Sequence, residues 1–213
     1  MANTTYNQNS SDNVSVGKGV KGGYFFSVEA TATNLAKISS GLSDFTKKVT
    51  DVFTDAALLG FITEDGWVIA EDRSTDSIVD VNGDTIATST SSYTETTTAT
   101  LVEMKASVLK EMYGQDNVTD LNGLLTAYHT SGDLPERIYI ADLVLKNERK
   151  WRHAIPKGQI TELGDLTIAS GDLVGREVTI TGNSYTDAND KSYVSVDFME
   201  STETGATTTT KSS

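Results

Sequence analysis

Two short acidic stretches, Asp80-Val-Asn82-Gly83-Asp84 and Asp187-Ala-Asn189-Asp190, set side-chain oxygens at alternate positions, which is how a calcium loop begins. Neither continues into the later ligands and closing glutamate of a twelve-residue site, and turn-forming residues at hairpin tips account for both. Glu64-Asp65 and Glu71-Asp72 are adjacent carboxylates. In a strand, neighbours point to opposite faces, so neither pair makes an acid–base couple by itself. A glycosidase-type pair would have to be assembled from separate strands. Arg149-Lys150-Trp151-Arg152-His153, with Lys157, is the only concentrated positive segment. An aromatic among bases suits a nucleic-acid patch. The more ordinary reading is a hairpin end pairing with acidic segments of the same chain or of another subunit, which makes Arg149, Lys150 and Arg152 candidates for an inter-subunit contact. Gly17-Lys18-Gly19-Val20-Lys21-Gly22 is glycine-rich but lacks the strand–loop–helix setting of a phosphate cradle, and reads as a joint.

The absences are as informative. The chain has no cysteine and only two histidines, His129 and His153. Thiolate chemistry, disulfides and a multi-histidine metal centre are excluded, and no cofactor or metal is expected. With 30 acidic against 17 basic residues, the 213-residue chain carries a formal charge of -13. Residues 61–100 hold eight acids and a single base, Arg73. A protein that grips nucleic acid needs the opposite, a basic stripe that neutralises phosphates. The hydrophobic share of 37% is enough for a core, which argues against wholesale disorder. No window approaches eighteen apolar residues, so no membrane insertion is expected, and the first ten residues have neither the basic start nor the apolar run of a secretory leader.

The elements that would position these residues are short strands with one or two helices. Residues 24–28 alternate Tyr24, Phe26 and Val28 against Phe25 and Ser27. Residues 30–50 read as a long loop, with Ser39-Ser40-Gly41 at its centre, followed by a short helix from about 50 to 59. Segment 61–69 reads as a strand, an Asp-Gly turn and a second strand, Asn82-Gly83 as a hairpin turn, and 85–103 as a β-prone tract rich in threonine. Helical period returns over 104–113 and Gly114 ends it. Strands follow at 134–145, 151–155, 159–163, 174–181 and 193–198. In the fourth of these Val178 and Ile180 face inward, opposite Glu177, Thr179 and Thr181. The sum is a mainly-β domain, sandwich or barrel, over residues 22–200, with an N-terminal arm at 1–21 and a polar tail at 201–213.

Three segments in succession resemble the major tail tube proteins of siphovirus-type bacteriophages: Leu59-Gly-Phe-Ile-Thr-Glu-Asp-Gly-Trp67 with the Asn82-Gly83-Asp84 turn, Leu109-Lys-Glu-Met-Tyr-Gly-Gln-Asp-Asn-Val118, and Ala154-Ile-Pro-Lys-Gly-Gln-Ile-Thr-Glu-Leu-Gly-Asp165 leading into Gly175-Arg-Glu-Val-Thr-Ile-Thr-Gly182. The resemblance implies a non-enzymatic virion protein, made in the host cytoplasm. In it a tail-tube β-sandwich with a flanking helix, long loop and extended arms assembles into stacked, hexameric rings around a hollow conduit for DNA ejection. Implied partners are further copies of the chain, a tape-measure protein, tail-tip and terminator proteins, and double-stranded DNA in transient, non-specific passage. In that setting Glu177, Thr179, Thr181, Glu95 and Thr97 are candidates to line the lumen. Lys37, Asp44, Lys47 and Lys48 on the 30–50 loop are candidates for contacts between rings. The alternatives are a decoration module on the virion surface and a carbohydrate-active β-sandwich enzyme.

Overall fold

The computed structural model describes residues 14–201. Most of the N-terminal arm (1–13) and of the C-terminal tail (202–213) lies outside the described residues. In chain order the elements are β1 (Lys18–Gly19), β2 (Phe25–Glu29), α1 (Ala32–Leu42), α2 (Val49–Val52), β3 (Ala57–Leu58), β4 (Val68–Val79), β5 (Thr85–Leu101), α3 (Ala106–Tyr113), β6 (Val118–Leu121), β7 (Leu124–Ala127), β8 (Arg137–Val144), β9 (Lys150–Leu163), β10 (Arg176–Gly182), β11 (Tyr185–Thr186), β12 (Ser192–Tyr193) and β13 (Val196–Met199). The fold is mainly β, in agreement with the sequence.

One antiparallel sheet in the order β3-β2-β8-β9-β10-β5-β4 dominates, with β1 prolonging the β8 edge and β13 pairing with β9. The sheet rolls up. Segment 57–63 pairs with β2 at one end, through Phe26↔Leu58 and the Leu59 N–H donating to the Phe25 carbonyl at 2.8 Å. At its other end it meets β5, through the Ile62↔Leu101 bridge and the Thr63 N–H to Thr100 carbonyl bond of 3.2 Å. Strands β2, β8, β9, β10, β5 and this segment therefore form a closed circuit, which leaves no bare backbone edge between its two ends.

The inside of the circuit is apolar. Phe25, Leu59, Ala99, Leu101, Tyr139, Ile155, Ile160, Val178 and Ile180 fill it, and α3 closes it with Val108 and Met112. Strand period two decides this. Val178 and Ile180 point inward as expected, and Ala99 and Leu101 do the same from β5. Gly158 lies where β8, β9 and β10 meet; a Cβ there would sit 2.6 Å from Tyr139 and 2.8 Å from Ile180, so no side chain fits.

On the outside, β2, β8 and the first half of β9 present Phe26, Val28, Ile138, Ile140 and Ala154, which are covered by Ile38, Leu42, Val49 and Phe53. Ile38 and Leu42 belong to α1, which corrects the expected long loop at 30–50. Thr31 caps the helix by accepting the Asn34 N–H at 3.2 Å, and Asn34, Ile38 and Leu42 recur on one face. Gly41, a poor helix residue, is present because a Cβ would run into Val52. The helix expected from about 50 to 59 is only the single turn of α2, since Ala57 and Leu58 are drawn into pairing with β2. The third helix begins at Ala106 rather than 104 and ends at Gly114.

Candidate functional site

Beyond the helix-covered half, no element among the described residues covers the outer face of the rolled sheet. Register places Glu177, Thr179 and Thr181 of β10 beside Thr100, Thr98 and Thr96 of β5, all on that face. On the β9 side lie Gln159, Thr161 and Glu162, with the Thr161 and Thr181 hydroxyls 2.8 Å apart. On the β4 side lie Val68 and Ala70. None of these positions is lysine or arginine. These positions offer neutral hydroxyls, two carboxylates and no cation, and Lys157, next along β9, is held by Glu136 at 3.4 Å, so a phosphate there meets hydroxyl donors but no unpaired charge.

Two of the expected lumen-facing residues are not on it. Glu95 and Thr97 are 3% and 0% exposed, and they pair with Gly182 and Ile180 on the inward face. Glu95 accepts hydrogen bonds from Tyr93 (3.0 Å) and Ser195 (2.9 Å), while the Thr97 hydroxyl is buried without a hydrogen-bond partner among the described residues. Burial, together with Glu95 beside it, raises the Tyr93 phenol to about 12. The hydroxyl row the sequence reading missed is Thr96, Thr98 and Thr100. Ala99 and Leu101, apolar at odd positions, carried the signal that fixes this phase.

The basic hairpin packs against its own chain, under the α1–α2 linker. Arg152 is 2% exposed; it pairs with Asp142 at 3.2 Å and donates to the carbonyls of Leu42, Asp44 and Lys47, so it holds the α1–α2 linker down on the sheet. Arg149 donates to the Glu200 carbonyl and Lys150 to the Phe45 carbonyl. Arg152 is thereby buried within its own chain, which removes it as an inter-subunit candidate, while Arg149 and Lys150 are half-buried and bonded to their own chain. Of the loop candidates, Lys47 and Lys48 are exposed, Lys37 and Asp44 half-buried, and Asp44 binds Lys47 at 3.2 Å and the Thr46 N–H. Those last two contacts, with the Thr46 hydroxyl contributing most, hold the Asp44 carboxyl below its usual range.

Both acidic stretches are turns. Asp80 accepts the N–H groups of Asn82 (2.9 Å) and Asp84 (2.8 Å), and Asp187 those of Asn189 (2.8 Å) and Lys191 (3.1 Å). Backbone donation lowers both carboxyls. Among the described residues no group of three or more metal-ligating side chains converges.

A further cluster, not anticipated from sequence, is Glu111 on α3. It is 3% exposed and accepts from Ser27 (2.7 Å) and Tyr139 (3.0 Å), with the Arg137 guanidinium 2.8 Å away. Burial pushes its carboxyl up, while Arg137 and these donors pull it down; burial prevails. The cluster binds α3 to β2 and β8 and is enclosed, so it works as a fastening. His153, also buried, donates from Nδ1 to Asp197 at 2.9 Å, and Trp151 donates to the same oxygen at 2.7 Å.

No protein-family model matches this chain, and no curated protein matches it in sequence.

Proposed function

We propose that the chain is a structural subunit of a bacteriophage tail tube, polymerising as stacked rings around a hollow conduit whose polar, acidic wall lets DNA pass. The observation that carries the reading is the outer face of β5 and β10, a broad sheet surface of hydroxyls and carboxylates without one cation. DNA carries a negative charge per ~1.7 Å of axis, and each lysine or arginine contact strengthens binding by releasing counterions. A wall made of Thr96, Thr98, Thr100, Glu177, Thr179 and Thr181 gives a moving polyanion no cation to hold, only hydroxyl hydrogen bonds that water replaces. Two further features favour assembly over a monomeric role. Strand β4 ends the sheet with twelve residues whose outer edge pairs with no strand among the described residues, the kind of edge that monomers usually keep short or covered. The exposed carboxylates of segment 61–100 lie largely on the β4–β5 hairpin that continues this edge. On this reading the partners are copies of the chain, the tape-measure, tail-tip and terminator proteins, and DNA in transit, and the protein resides in the virion tail.

Negative-stain microscopy of purified protein tests the reading: hollow rings or filaments support it, and solid particles overturn it. The wall is tested by Glu177→Lys. Tubes of this variant are expected to retain double-stranded DNA at low salt and to release it as salt rises, where unsubstituted tubes retain none. Equal retention by both would remove Glu177 from the lumen.

A further inference from the structure

The β4–β5 hairpin outgrows the barrel. From Asp72↔Thr94 to Val79↔Thr85 its two strands pair only with each other among the described residues, and their side chains are exposed on both faces. At ~3.3 Å per residue this ribbon and its turn reach about 30 Å beyond the wall. A lone two-stranded ribbon is marginal in water, yet this one carries Ile78, Val79, Val81 and Ile86 at its tip, with Val81 99% exposed. Residues 71–95 hold six carboxylates against one cation, Arg73, which lies over the Tyr93 ring at 5.2 Å.

Elsewhere on the surface is a groove of about 860 Å³ between segments 17–24 and 58–67. Tyr24, Leu58, Phe61 and Trp67 give it an apolar lining, and Phe61 is 66% exposed. Lys18 and Lys21 stand along it, both exposed, and neither has a carboxylate partner among the described residues.

We infer that the β4–β5 tip of one copy docks in this groove on a second copy. Apolar matches apolar, and the acidic ribbon meets the two free lysines. The occupant cannot be the chain's own tip, because Gly66 and Trp67 line the groove and lead directly into β4. The arm therefore starts at the groove and carries its tip about 30 Å away from it. A contact between two different patches of one molecule is heterologous and repeats, closing into a ring or continuing as a filament. The inference rests on the self-assembly proposed above and specifies one of its contacts.

Because the chain has no cysteine, the test is direct. Val81→Cys in one preparation and Phe61→Cys in another alter exposed side chains, and unchanged circular dichroism verifies their folding. Mixed and oxidised, they are expected to give the mixed disulfide dimer at least about tenfold faster than either same-variant dimer. Lys18→Glu with Lys21→Glu on the groove partner should slow that coupling about tenfold at low salt, and Asp76→Lys with Asp84→Lys on the tip partner should restore it. Hollow tubes without the mixed disulfide overturn the docking and leave the tube reading intact. The mixed disulfide in particles that are not hollow supports the docking and removes the tube. A chain that neither couples nor assembles overturns both.

Discussion

The outer face of the sheet is two surfaces on one scaffold. Across β2, β8 and the start of β9 it carries Phe26, Val28, Ile138, Ile140 and Ala154 under α1 and α2; across β10 and β5 it carries Glu177 and a row of threonines that no described element covers. Both halves bury apolar residues on the inner face, the second half with Glu95 and Thr97 among them. What differs is whether the chain supplies a cover. Where it does, both faces of a strand are buried and the sequence runs apolar, as in Phe25-Phe26 and Ile138-Tyr139-Ile140-Ala141. Where it does not, the strand alternates. The contrast separates residues that hold the subunit together from residues available to whatever lies outside it.

The largest effect that breaks this contrast is expected at Arg152. Arg152→Ala strands Asp142 and frees three carbonyls of the α1–α2 linker, and should cost about 3–5 kcal/mol in denaturant unfolding. A loss below 1 kcal/mol would show that the helical cover is not held there. Next, Ile140→Ala under the helices should cost about 2–5 kcal/mol, whereas Thr98→Ala on the threonine half should stay within about 0.5 kcal/mol. Equal losses would erase the distinction between the halves.

A finer test lies between neighbours on β5. Thr97→Val removes a buried hydroxyl that has no hydrogen-bond partner and should stabilise the fold by about 1 kcal/mol, while Thr98→Val should change little. The reverse order would mean the strand is in the opposite phase. The smallest effect is acid sensitivity at the hairpin tip. Asp84 and Asn82 N–H donation holds the folded Asp80 carboxyl below its ordinary value of 3.8, so its contribution is complete above 3.8 and fades as pH falls through the lower folded value. Amide shifts of Asn82 and Asp84, followed by NMR from pH 5 to pH 2, should move in that window only.

How far the sequence disclosed these halves depended on whether a strand broke its own monotony. In β10, Val178 and Ile180 alternate with Glu177, Thr179 and Thr181, and its orientation was readable at once. In β5 the run Thr94-Glu95-Thr96-Thr97-Thr98 is polar throughout, so its phase rests on Ala99 and Leu101 alone and Glu95 and Thr97 read as surface. Helix α1 was hidden by Ser39-Ser40-Gly41, whose poor propensity is outweighed by the packing of Ile38 and Leu42 on the sheet. Arg149, Lys150 and Arg152 gave no sign of bonding to their own chain because their main partners are backbone carbonyls of distant segments, and a carbonyl leaves no mark in a sequence. Glu111 was invisible for a related reason: Ser27, Tyr139 and Arg137 come from strands brought together only by the fold.

The closure made by segment 57–63 has a mechanical corollary. Phe61–Thr63 is stitched to β5 by one bridge and two backbone bonds of 3.2 Å, whereas β10 and β5 share a seven-residue register. Loaded from within, the hoop has a seam, and rupture would begin there, at the Thr100 end of the threonine wall.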